Sequence, residues 1–262
     1  MKQILNLFIF FLFLSCADEF IAENPIDPDN PDYIPPIVSF VTGPNPGETI
    51  YAENTVITFS GNEESMLFRS KLDSSGWSGW ISSQSITLDY LDEGDHIFYL
   101  QGQYTTGDTS YAISVPFSVD AVSGPAIMFF PRKTIANQGE TVQLKIIAEE
   151  VYSLAGLEAN IEYDPGKLTI LEVASGEIFT ETGDPIFFFE DKKEIGLLTL
   201  TSAVWGNTEP AFTGTQVIAT LDIRVEQVGN LAINFSGNEV FRDQDNIEIQ
   251  ISESVPGLVI VN

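Results

Sequence analysis

Few side chains in this chain have chemistry to offer. There is one cysteine, Cys16, and one histidine, His96, in 262 residues. A lone thiol cannot close an intramolecular disulfide, so Cys16 is better read as an acylation site. A lone histidine has no partner histidine or cysteine with which to hold a metal or relay a proton. No Gly-x-Ser-x-Gly elbow supplies a serine nucleophile. His96 follows Gly94 and opens a strand pattern, which points to a structural role. Asp243-Gln244-Asp245-Asn246 alternates oxygens as calcium loops do, but it lacks the full loop spacing and the distant Glu. A hairpin turn is expected there. Carboxylates are abundant, yet two-carboxylate hydrolysis needs a specific pair about a cleft, and no spacing selects one. What remains is aromatic. Trp77, Trp80 and Trp205 could stack on the apolar faces of sugars. For Trp77 and Trp80 the expected alternative is packing at the edge of a β-sandwich; for Trp205, beside Gly206-Asn207, both roles stay open. The chain thus reads as non-enzymatic, with no metal site and no cofactor of its own.

The charge balance narrows the partners. Eleven Lys and Arg face 38 Asp and Glu, a net charge of -27. Such a surface repels phosphate backbones, which excludes nucleic acid. It also repels anionic lipid, so membrane contact is expected only through an anchor. The apolar fraction, 44%, is enough for packed cores despite the charge.

Cys16 sits at the end of a greasy N-terminal run. Met1-Lys2 is followed by Ile4 to Leu14, with only Asn6 polar, and then by Ser15-Cys16-Ala17. That is the layout of a secretory signal over residues 1–15. The run is shorter than the about 20 residues that span a bilayer. Phe13-Leu14-Ser15-Cys16 resembles a lipobox, with Phe13 where the usual residue is Leu. The resemblance implies that Cys16 becomes the lipidated first residue of a lipoprotein. Ala17-Asp18-Glu19 looks like the acidic export signals that send lipoproteins to the outer face of the outer membrane. Residues 16–36 then read as anchor and tether: Pro25, Pro28, Pro31, Pro35 and Pro36 alternate with carboxylates. Extended polyproline geometry at ~3.1 Å per residue would give a reach of about 60 Å.

The rest of the chain alternates with period two, which argues for an all-β protein. In residues 37–122, Thr55, Ile57 and Phe59 face one way, as do Tyr111, Ile113, Val115, Phe117 and Val119. Pro116 suggests that its strand is an edge. About seven short strands suggest an immunoglobulin-type sandwich. Phe68 to Asp73, Trp77-Ser78-Gly79-Trp80 and Leu91 to Phe98 resemble a bacterial immunoglobulin-like module. Ala121 to Pro125 reads as a linker. In residues 126–262, Val142, Leu144 and Ile146 alternate, as do Leu157, Ala159, Ile161 and Tyr163, and Val217 to Val225. About nine strands and no helical period predict a two-sheet sandwich or jelly roll.

An ordered series of motifs in this second region resembles the cohesin domain family. It runs through Gln138-Gly139-Glu140-Thr141-Val142, then Leu154-Ala155-Gly156-Leu157-Glu158-Ala159-Asn160-Ile161-Glu162-Tyr163-Asp164-Pro165. Leu168-Thr169-Ile170 before Gly176, Gly196-Leu197-Leu198 and the strand from Gly214 to Val225 complete it. Asp164 and Pro165 have the chemistry of a turn rather than of catalysis. The resemblance implies a nine-stranded jelly roll that binds dockerins, small helical domains folded around calcium, so calcium would enter only with the partner. It places the contact on the strand before Tyr163, whose outward positions are Glu158, Asn160 and Glu162. The positions matching the family's partner-bonding Asn/Asp pair read Gly156 and Glu158.

The expectation is therefore a monomeric, lipid-anchored protein of the outer membrane, exposed at the cell surface. An immunoglobulin-like spacer would display a cohesin-like domain that holds a dockerin-like partner, within polysaccharide utilisation. The rival expectation is direct capture of a polysaccharide by a glycan-uptake lipoprotein. Solvent-exposed coplanar aromatics would favour that rival.

Overall fold

The structure is a computed structural model that describes residues 23–180, 186–194, 196–206 and 211–262. The signal segment, Cys16 and the tether up to residue 22 lie outside the described residues. No α-helix occurs among those described, and the chain is all-β.

The first domain is built from seven strands: β1 (Val38–Thr42), β2 (Glu48–Ile50), β3 (Thr55–Gly61), β4 (Leu67–Leu72), β5 (Ser85–Leu88), β6 (Gly94–Gln103) and β7 (Ile113–Val119). They form two sheets, β1-β3-β5 and β2-β7-β6-β4. Alternation buries one side chain in two, and the two inner faces meet through Ile57, Phe59, Phe68, Phe98, Leu100, Val115 and Phe117.

Two expectations about this domain need correction. The strand carrying Pro116 is interior, flanked by β2 and β6. Pro116 is tolerated because its carbonyl accepts from Gly47 N–H on the β2 side, and its nitrogen faces the same way. The β2 ladder starts only at the pair Glu48 and Phe117, so no ladder bond is lost. Tyr111 precedes β7 and is exposed rather than inward.

The described part of the acidic tether, from residue 23, is coiled rather than extended. Asn24, Asp27 and Asn30 each begin a turn that closes on the residue three ahead. Each side chain also accepts the N–H two residues on, at 3.2, 3.0 and 2.8 Å. Three Asx-Pro-x units in succession thus coil the segment, because an Asx side chain and a following proline both favour turns. Ile26 and Tyr33 pack on the first domain's core, and Tyr104 Oη donates to Ile34 O.

The second domain contains β8 (Ala126–Phe130), β9 (Lys133–Ala136), β10 (Thr141–Glu162), β11 (Leu168–Ser175), β12 (Ile186–Glu194), β13 (Leu197–Val204), β14 (Phe212–Val225) and β15 (Gly229–Phe235). The hairpin β16 (Val240–Asp243) and β17 (Glu248–Ile249), then β18 (Glu253–Val255) and β19 (Gly257–Val261), complete it. Among the described residues these make twelve segments where about nine were expected. Conversely, two strands read from separate alternations, around Val142–Ile146 and Leu157–Tyr163, are one continuous strand.

That strand, β10, joins the two layers. Its first half pairs with β14 and β8, and its second half with β13 and β16. Register shifts between Ile146 and Ile147, Ala148 and Val151, and Val151 and Leu154 mark the crossing. Glu150 and Ser153 take φ of 46° and 53° there. Bulges bend a strand sharply enough for it to leave one sheet and enter the facing one. The core between the layers includes Phe129, Leu144, Ile146, Ile161, Leu200, Leu221, Ile223 and Phe241. Burying each such side chain stabilises the fold by roughly 1.5–3 kcal/mol.

Candidate functional site

One layer of the second domain is the four-strand run β12-β13-β10-β16, and its outward face mixes polar and apolar side chains. Registry places Val240, Glu158, Thr201 and Phe189 in one row across it. The next row is Arg242, Gly156, Ala203 and Phe187. On the other side of the first row, Asn160, Thr199 and Asp191 align, and Glu162 pairs with Leu197. Directly paired residues project to the same side of a sheet, so each row is a strip of surface.

The three partner-binding residues read from the sequence, Glu158, Asn160 and Glu162, do lie together on this face. The inward positions Leu157, Ala159 and Ile161 are buried, and the alternation throws the other three outward. Asn160 is held in place: Thr199 Oγ1 donates to its Oδ1 at 2.7 Å, and its Nδ2 donates to Glu158 Oε1 at 3.2 Å. This fixes the amide and one carboxylate oxygen as a pre-set pair of polar groups. Glu162 stays exposed at the strand's end. Gly156 has no side chain to offer. Its position opens onto a cleft of about 490 Å³ lined by Gly156, Glu158, Thr201, Ala203, Val240 and Arg242.

The aromatic end of the face comes from the run Ile186-Phe187-Phe188-Phe189, whose alternation predicts one half buried and one half free to form a contact patch, with core or edge packing as the expected role. Phe187 and Phe189 are 46% and 50% exposed, with ring centroids 6.4 Å apart and planes within 20°. Phe188 between them packs against the core. The alternation of Ile186-Phe187-Phe188-Phe189 carried that signal, but the strand that brings the pair beside Thr201 and Glu158 is settled only by pairing.

The neighbouring turns are structural. Asp164 Oδ1 accepts Gly166 N–H at 2.9 Å, and its carboxylate pairs with Lys167 at 3.2 Å. These contacts hold the carboxyl of Asp164 below the usual carboxylate range. Asp243 Oδ1 accepts the N–H groups of Asp245 and Ile247 inside the β16–β17 hairpin. No group of three or more His, Cys, Asp or Glu fit to hold a metal occurs among the described residues.

Trp77 and Trp80 are gathered around one cation, and Trp205 lies in the other domain. Trp77 and Trp80 lie in the first domain, with the Arg69 guanidinium carbon 4.9 and 4.6 Å from their ring centroids. Lys71 continues the ladder, 5.7 Å from Trp77 and 4.5 Å from Tyr99. Arg69 is in turn fixed by Gln101 Oε1, which accepts from Nε at 2.9 Å and from Nη2 at 2.6 Å. Each of these two tryptophans therefore gives a ring face to a cation of its own domain. Trp205, at the end of β13 in the second domain, is 75% exposed.

His96 is buried between two acceptors. Nδ1 lies 2.8 Å from Asp73 Oδ2 and Nε2 lies 2.8 Å from Asp92 O. Burial alone would lower its pKa. The bonds to the Asp92 carbonyl and the Asp73 carboxylate, with the charges of both aspartates, outweigh it and raise the value. Two acceptors require both ring nitrogens to donate, which only imidazolium can do.

The cohesin domain family model matches residues 129–259. No curated protein matches the chain. Among solved structures, the sixth cohesin of scaffoldin B from Acetivibrio cellulolyticus, solved with a mutant Cel5 dockerin, is 17% identical with a TM-score of 0.47. It spans 53% of this chain and 100% of its own. A type II cohesin domain from the cellulosome of Acetivibrio cellulolyticus is 20% identical with a TM-score of 0.45, over 51% of this chain and 94% of its own. A non-cellulosomal cohesin from the archaeon Archaeoglobus fulgidus is 14% identical with a TM-score of 0.43, over 52% and 90%. The matched segment is half of the sequence and coincides with the second domain, and through it the chain belongs to the cohesin domain family.

Proposed function

We propose that the chain is a non-enzymatic surface lipoprotein whose second domain holds a dockerin-type protein module through the outward face of β12, β13, β10 and β16. The observation that carries this reading is the composition of that face within a cohesin-family domain. It has a pre-set Glu158–Asn160 pair at its centre, a cleft at Gly156 on one side and a half-exposed Phe187–Phe189 pair on the other. Cohesin domains are non-catalytic protein-binding modules, and cohesins from Acetivibrio and Clostridium have been solved with dockerins. An apolar anchor beside fixed polar groups is the arrangement that protein interfaces use for hot spots. In this reading Cys16 carries the lipid, the protein sits on the outer membrane facing outward as a monomer, and the first domain is an immunoglobulin-like spacer. The role lies within polysaccharide utilisation, by holding a hydrolase or adhesin at the surface.

A second reading, direct glycan capture, is favoured by one observation. Phe187 and Phe189 are half exposed, and an exposed aromatic ring can stack on the apolar face of a sugar. One experiment separates the two. The full chain is immobilised and offered a purified calcium-loaded dockerin module, with and without chelator, and in parallel a polysaccharide gel. Calcium-dependent capture of the module supports the first reading. Retention on polysaccharide without capture of any dockerin overturns it.

A further inference from the structure

The two domains meet where the turn after β8 enters β9, at Arg132 and Lys133, two of the chain's eleven basic residues. We infer that Arg132 and Lys133 lock the domains into one rigid body, so that the outward face of the second domain is presented in a fixed direction rather than on a hinge. This inference stands apart from what that face binds.

The contacts are specific and come from three sides. Arg132 is 5% exposed, unusual for a guanidinium in a chain so rich in surface acid. Its Nη2 pairs with the Glu53 carboxylate, and its Nη1 lies 3.4 Å from Leu91 O. Its backbone N–H donates to Asp92 Oδ1 at 2.7 Å. The acceptors are themselves tied together, since Leu91 N–H donates to Glu53 O at 2.9 Å and Leu91 is part of the first domain's core. Lys133 pairs with the Asp89 carboxylate and donates to Asp89 O at 3.2 Å, with the Tyr90 ring 5.5 Å from its ammonium. A positive turn is thus held in a negative notch of Glu53, Asp89 and Asp92.

The connecting segment is fastened as well. The Glu93 carboxylate accepts the N–H groups of Ala121 and Val122, each at 3.1 Å. Gly124 N–H donates to Glu150 Oε2 at 3.0 Å. Val122 is buried with Ala126, Met128 and Val255 in a small cluster of its own, backed by Ile147. A linker that allows hinging keeps its backbone in water. Here its N–H groups are capped by carboxylates from both domains and its one large apolar side chain is packed. Opening the junction would break the Arg132 bonds to Glu53 and Leu91 O and the Lys133–Asp89 pair together, so these contacts jointly resist hinging.

Hydrogen exchange and small-angle scattering on the full chain test this. For the natural chain we expect the linker peptide 120–126 to exchange as slowly as β8, and one fixed arrangement to account for the scattering. Arg132→Met keeps the side-chain stem and removes the charge. It should speed linker exchange by about tenfold and require an ensemble of arrangements, while exchange in β3 and β10 stays slow. The pair Arg132→Glu with Glu53→Arg should recover part of the protection. If Arg132→Met disturbs folding, Lys133→Gln is read instead, with a smaller rise expected. A natural chain whose linker exchanges as fast as exposed loops would overturn the inference. So would variants at both positions whose linker protection and scattering match the natural chain.

Discussion

Removing the aromatic pair at the end of the binding face should weaken partner capture without weakening the fold. Phe187 and Phe189 keep 46% and 50% of their surface in water. A phenylalanine buries about 150–250 Å² when fully covered, so each ring has about 100 Å² left to give a partner. At roughly 25 cal/mol per Å² this is about 2.5 kcal/mol per ring. Phe187→Ala or Phe189→Ala should then raise Kd about 50-fold. The rings stack on each other, so the double variant should fall short of the product of the two. The assay is isothermal titration of the chain against a calcium-loaded dockerin module, the proposed partner. Ile135→Ala serves as control, because Ile135 is 65% exposed on β9, outside the four-strand face, and should leave Kd within twofold. Thermal unfolding should move little for each single variant, since what is removed is largely solvent-facing surface. If both phenylalanine variants bind like the natural chain, the reasoning that places the contact on this face is wrong.

Two further outcomes follow from groups away from the face. His96 has a folded pKa raised above its unfolded value, chiefly by the Asp92 carbonyl and the Asp73 carboxylate acting against burial. Its contribution is fully present below the unfolded value near 6.5 and is lost as pH rises through the folded value. Urea unfolding of the first domain should therefore show stability falling from about pH 6.5 upward, and His96→Gln should flatten that slope; an unchanged slope would mean another group titrates there. Ser202 is 1% exposed and its hydroxyl finds no hydrogen-bond partner among the described residues. Ser202→Ala should raise the second domain's stability by about 1 kcal/mol, and a loss of that size in denaturant titration would contradict the assignment.

Much of the fold was legible because burial in a two-layer β-protein imposes period two on each strand. Ile57 and Phe59, Leu144 and Ile146, and Leu157 to Ile161 each announced an inward face, and with it the outward Glu158, Asn160 and Glu162. The turn chemistry of Asp164-Pro165 and of Asp243 to Asn246 was equally local and needed only neighbouring backbone. Strand count was not local. β10 looked like two strands because its bulges at Ile146 to Leu154 interrupt the alternation where it changes sheets. Pro116 suggested an edge because a missing donor matters only on the side where a ladder runs, and that side is set by Gly47 and Glu48, far away in sequence.

The sequence by itself determined an all-β chain, its acidic charge and the motif series of the cohesin family, since these rest on composition, spacing and local turns. Tertiary structure alone decided what each conspicuous side chain is for. Trp77 and Trp80 give ring faces to Arg69, because β4 folds that guanidinium between them. Phe187 and Phe189 join the face of Glu158 and Asn160 because β12 pairs beside β13. Arg132, unremarked in the sequence, closes the junction because the fold delivers Glu53 and Asp92 to it across 79 and 40 residues. Long-range pairing, which no window of sequence contains, brings each of these partners within reach.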